Sequence, residues 1–121
     1  MAVSNFDFTF NNGILDLAYL TKEINLKISG KNSTIALTKN TIHNLQIDGY
    51  NLNINNEENK INICNIDIQE GRYCAVKDAY DTIKIENHLA TLILQEVSAE
   101  VADITCRSTK AALDKIQITN L

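Results

Sequence analysis

Three residues beyond a recurring isoleucine stand Lys31, Tyr50, Arg72, His88 and Arg107, and the only two arginines of the chain are both among them. Arg72 joins the set if Gly71 is counted as one extra residue in its corner. Brought to one edge, these side chains would offer two guanidinium forks beside a phenol and an imidazole. That chemistry suits a carboxylate, phosphate or sulfate group, which arginine can grip through two parallel hydrogen bonds. The alternative is that the five pair at the surface with the adjoining Asp48, Glu70 and Glu86, where exposed ion pairs contribute about 0–1 kcal/mol each. The same acids, with Asn87, present oxygens of the kind a hard cation prefers. Lysine and arginine neighbours and the lack of an EF-hand spacing speak against a metal, and none is expected.

Catalysis finds less support. General acid–base or nucleophilic work needs two groups within hydrogen-bond reach. The two histidines, His43 and His88, fall on different faces of the repeat described below. No GxSxG, P-loop, HExxH or GxGxxG pattern occurs, so neither an enzyme nor a cofactor site is expected. Cys64, Cys74 and Cys106 lack metal-binding spacing and read as small buried apolar residues, reduced in a cytoplasmic setting.

Composition sets the frame. The chain has 121 residues, room for one domain spanning 1–121 with a single core. Its net charge of −4 argues against nucleic acid or anionic lipid as a partner. No apolar run is long enough for a membrane span, and the N-terminus does not read as a secretory signal.

The elements that would position the edge are strands. Apolar and polar residues alternate in FDFTF, INLKIS, NLQID, INICNIDIQ and TIKIEN, the period of β-structure. Short helical spacings at 13–23 and 95–101 are the exceptions. Phe10, Ile28, Ile47, Ile68, Ile85, Ile104 and Ile118 form a column at separations of 18, 19, 21, 17, 19 and 14 residues. An apolar residue stands two places before each, and Asn or Gly follows in most corners. A second apolar pair comes after the corner: Ser33/Ile35, Leu52/Ile54, Cys74/Val76 and Ala90/Leu92 in the middle of the chain. A looser third set holds Leu20, Ile42, Ile63, Tyr80 and Val97. On the outer face Asp67, Lys84 and Asp103 would stack with alternating sign.

A repeat of this length, whose units cannot bury their inner faces alone, predicts a β-solenoid. The expected architecture is all-β: a short right-handed parallel β-helix of about six coils, the sequence separations being those of stacked rungs. Residues 1–20 would form its first rung or a cap. The alternative is an antiparallel β-sandwich or jelly roll, since Asn12-Gly13 and Asp48-Gly49 are also hairpin turn signals. In length, and in forming one short stack of β-coils, the pattern is similar in style to the bactofilins. That resemblance implies end-to-end polymerisation and carries no functional residue over to this chain.

The ends then matter most. Phe6, Phe8 and Phe10 would line the first rung and Ile116, Ile118 and Leu121 the last, with no capping helix read at either end. The expected function is therefore a non-enzymatic structural or interaction protein that assembles with itself through these ends. The rival readings are a small acidic binding or inhibitor protein, of immunity or anti-defence type, and a carbohydrate-binding or carbohydrate-cleaving module with Tyr50 and Tyr73 as its exposed rings.

Overall fold

The structure is a computed structural model that describes residues 4–20, 23–107 and 110–120, with the side chains of all but Phe10 and Asn120. It is all strand: β1 (Ser4–Asn11), β2 (Ile14–Ala18), β3 (Ile24–Thr38), β4 (Thr41–Glu57), β5 (Lys60–Val76), β6 (Ala79–Gln95), β7 (Ser98–Arg107), β8 (Lys110–Asp114) and β9 (Gln117–Asn120). Every pairing is parallel, in the order β1-β3-β4-β5-β6-β7-β9, with β2 laid on β3 and β8 on β6. The chain winds as a β-solenoid of about 6 turns, and the described residues of the two segments with helical spacing contain no helix and belong to strands and corners of that coil.

Among the described residues the coil has two columns of tight corners where the backbone enters the left-handed region. The first column of corners is Asn12, Asn32, Asn51, Glu70 and Leu89, with φ of 53–59°. The second is Tyr19, Lys39, Glu58, Lys77, Glu96 and Lys115, with φ of 53–61°. Asparagine is suited to this conformation, whereas other L-residues adopt it at some cost. The coil carries those residues because stacked neighbours hold the corner in place.

From β3 onward partners stand 19 residues apart, as in Asn25–Asn44–Ile63–Thr82–Val101. The one irregularity falls at Ile24/Asn25. The inner column is Phe8, Ile28, Ile47, Ile66, Ile85 and Ile104. Phe10 and Ile68 therefore leave the expected column, each by two residues, and Ile118 stacks instead on Ala99. The cause is the period of a strand: a slide of two residues keeps every side chain on its face, so alternation alone cannot detect it.

The same slide undoes three dependent expectations. Gly71 is no insertion; it stacks between Leu52 and Ala90. Tyr73 and Ala75, not Cys74 and Val76, point inward and are fully buried. Ile61 rather than Ile63 lies between Ile42 and Tyr80. On the outer face Asn65, not Asp67, stacks with Lys84 and Asp103.

The core is one continuous stack of aliphatic side chains. Ile28, Ile35, Leu37, Leu45, Ile47, Leu52, Ile54, Ile68 and Ile85 have no accessible surface. Each contributes about 1.5–3 kcal/mol through burial, which is how a thin coil without helices holds its shape. Gly49 is required by a close approach: a Cβ there would lie 2.0 Å from the carbonyl oxygen of Gly30, at φ of 153°.

Candidate functional site

The strand–corner junction after each inner column produces an exposed edge. Lys31, Tyr50, Gln69, His88 and Arg107 are direct partners on five successive coils, preceded by Asn11. Four of the five residues expected at this edge are thus brought together. Arg72 is not among them: it stacks between Asn53 and Thr91, on the next side of the coil, and Gln69 takes its place. The Tyr50 phenol hydrogen-bonds Glu70 at the corner, and that bond, with the Glu70 charge, raises its pKa above the ordinary tyrosine value.

Beside Tyr50 lies an open hollow of about 520 Å³ lined by Thr9, Asn11, Gly30, Lys31, Gly49, Tyr50 and Gln69. It exists because two stacked glycines leave no side chains in its wall. Here a cation and a phenol line one hollow, a setting able to accept an anionic group.

The acidic residues regroup as well. Asp48, Asp67 and Glu86 stack directly, in place of the expected Asp48, Glu70 and Glu86. Glu70 sits in the corner and Asn87 faces the interior. Lys84 reaches Glu86 at 3.5 Å and relieves part of the repulsion between like charges. Among the described residues, no three His, Cys, Asp or Glu side chains are grouped to hold a metal ion. His43 lies apart from His88, 3.2 Å from Asn62 and 4.0 Å from Glu23.

The second corner holds a polar network that the sequence reading missed. Asn40, Asn59 and Asp78 are buried and stack on successive coils. Leu20 N donates to Asn40 Oδ1 at 3.0 Å, Asn40 N to Asn59 Oδ1 at 2.9 Å, and Asn59 N to Asp78 Oδ1 at 2.7 Å. Asn40 Nδ2 and Asn59 Nδ2 donate onward to the carbonyls of Leu17 and Leu37. Each buried amide therefore caps one turn and ties it to the next.

From Asp78 a chain of hydrogen bonds enters the core. Asn56 Nδ2 donates to the Tyr73 hydroxyl at 3.0 Å, and the Tyr80 hydroxyl donates to Asp78 Oδ2 at 2.8 Å. The Tyr80 proton being committed, Tyr73 donates to Tyr80 across 2.8 Å. All three donors point toward the carboxylate. Burial pushes the Asp78 carboxyl up to about 6 despite this help. Burial also raises the phenols of Tyr73 and Tyr80 and the thiol of Cys64, so Cys64 is no thiolate nucleophile. The signal was present in the sequence, because Lys39-Asn40, Glu58-Asn59 and Lys77-Asp78 recur every 19 residues.

The ends differ from the middle. Phe6 and Phe8 stack with ring centroids 6.4 Å apart on the first coil. Ile116 and Ile118 are partly buried against the last part of the core. Leu121 lies outside the described residues, and for Phe10 only the backbone, paired with Gly30, is described.

What fold and site define together is a class: a short parallel β-solenoid with one exposed cationic edge and one sealed polar corner. No protein-family model, no curated protein and no solved structure matches the chain.

Proposed function

We propose that this is a non-enzymatic structural or interaction protein that associates with itself through the ends of its solenoid. One observation carries the reading: among the described residues, inward-facing large apolar side chains are exposed only at the two ends of the coil. Phe6 is 45% exposed, whereas Leu26 and Leu45, stacked above it, are at 1% and 0%. Leu113 is 58% exposed, whereas Leu94 below it is at 2%. The strands β1 and β2 at one end, and β8 and β9 at the other, each have a single pairing partner. An unpaired edge above an uncovered apolar rung is a template for another chain.

The test is sedimentation over a wide concentration range. Association that grows with concentration is expected. Phe8→Asp and Ile118→Asp should each weaken it while far-UV circular dichroism stays unchanged. A monomer at every concentration overturns the reading.

A second reading rests on the exposed column of Lys31, Tyr50, His88 and Arg107. It would make the protein a small acidic binding or inhibitor protein that grips an anionic group of its partner. His88→Glu with Arg107→Glu should abolish capture of that partner from native lysate, and Arg72→Glu should not. Capture that survives the double change removes the edge. The carbohydrate reading keeps only Tyr50 as an exposed ring, because Tyr73 is buried.

A further inference from the structure

We infer that the association is polar, head to tail, with the last coil of one copy seated on the first coil of the next. The inference rests on the self-association reading above and names its occupant: a second copy in the same orientation.

Three independent features of the two ends favour this pairing over head-to-head or tail-to-tail. The first is charge. Residues 4–20 carry Asp7 and Asp16 and no basic residue, whereas residues 102–120 carry Arg107, Lys110 and Lys115 against Asp103 and Asp114. The first coil is thus negative and the last coil net positive. Unlike ends attract and like ends repel, and such complementarity selects orientation.

The second is size. Each inner column continues into the next copy if the stack is extended by one rung. Leu15 opens the column that, among the described residues, closes at Ala111. Head-to-tail stacking sets Leu15 on that small residue. Head-to-head stacking would oppose the two phenylalanines to their own copies.

The third is a contact already present once within the chain. At the second corner Lys39 lies over the ring of Tyr19, 5.6 Å from its centroid, while its Nζ is 3.6 Å from Glu58. Lys115 closes the same column, 3.7 Å from Glu96. Tyr19 opens it and is 67% exposed. A following copy would place its Tyr19 against Lys115 and repeat the cation–ring contact. One match is unfavourable, because Asp103 and Asp7 close and open a single outer column. A contact between unlike ends repeated along the coil axis does not bring the chain of copies back on itself, so the product is an open filament.

The experiment blocks one end at a time. Phe6→Lys blocks the first coil and Leu113→Asp the last, both at exposed positions. Each variant alone should be monomeric by sedimentation at concentrations where the wild type assembles, and a one-to-one mixture should form a heterodimer and nothing larger. Homodimers of either variant alone overturn the polarity while leaving self-association standing. A mixture that stays monomeric also overturns the polarity. Wild type that never associates overturns the underlying reading and the inference with it. Tyr19→Glu and Lys115→Glu provide a second pair that spares the apolar rungs, with the same pattern expected. Asp103→Lys should strengthen assembly of the full chain at least several-fold, and added salt should erase that gain.

Discussion

The two corners of the coil solve one backbone problem by different means. Both turn the chain through left-handed residues at nearly equal φ. At the second corner the following residue sends an amide or carboxylate inward, and Asn40, Asn59 and Asp78 satisfy the turn from inside. At the first corner Ser33 makes one such inward contact, accepting from Gly13 N at 3.0 Å, and otherwise the chain depends on glycine and on the exposed pair of Asn51 Nδ2 and Asn32 Oδ1 at 2.9 Å. The lesson is a division of labour. The sealed corner fixes the register, which leaves the open corner free to present Lys31, Tyr50, His88 and Arg107 to solvent.

Paired substitutions of the same residue type give the sharpest contrast. Asn59→Ala strips partners from the Asn40 N–H and the Leu37 carbonyl inside the core. At about 1–3 kcal/mol for each orphaned group, chemical denaturation should show a loss of about 3–5 kcal/mol. Asn51→Ala, at an exposed corner, should cost about 1 kcal/mol, set by the left-handed backbone. Equal losses would erase the distinction between the corners.

Gly49→Ala tests the open corner where it is tightest. Its Cβ would meet backbone at 2.0 Å, and a loss of about 3 kcal/mol is expected from clash and strain together. A melting temperature within a degree of the wild type would refute the close approach.

Acidity probes the sealed corner. Asp78 has its carboxyl raised from 3.8 to about 6 in the folded state, so the native protein holds this proton more tightly than the unfolded chain does. Its contribution is fully present below about pH 4 and is lost as pH rises through 6, an effect of about 2–3 kcal/mol on linkage. In denaturation experiments, stability at pH 4.5 minus stability at pH 7.5 should be more positive for the wild type than for Asp78→Asn. Identical pH profiles would contradict the raised carboxyl.

The smallest expected effect is a gain. Leu89 occupies the left-handed corner at φ of 57° and is 55% exposed. Leu89→Asn relieves that conformation without uncovering the core, and should stabilise by about 0.5–1 kcal/mol in the same denaturation assay.

The solenoid was legible because alternation and corner residues recur together, and Ile28, Ile47 and Ile85 do stack as their spacing predicts. The register between them was harder to read. INICNIDIQ offers Ile66 and Ile68 on one face, and only the corner distinguishes them. Choosing Ile68 displaced the edge at that coil, which put Arg72 where Gln69 stands and turned Tyr73 outward. The buried ladder escaped notice for another reason. Asparagine is so common in turns that its type alone does not mark Asn40 and Asn59 as buried, whereas the 19-residue steps from Asn40 to Asn59 to Asp78 are the stronger clue.

The uniform step between coils also sets which changes in chain length the molecule can absorb. A block of 19 residues could be duplicated or removed between two corners, altering the rod by one strand spacing of about 4.8 Å and leaving every neighbour with an equivalent partner. A single added residue within a strand would turn the rest of that strand inside out until the next corner. Lineages of such rods should therefore differ by whole rungs, with smaller insertions confined to the bends.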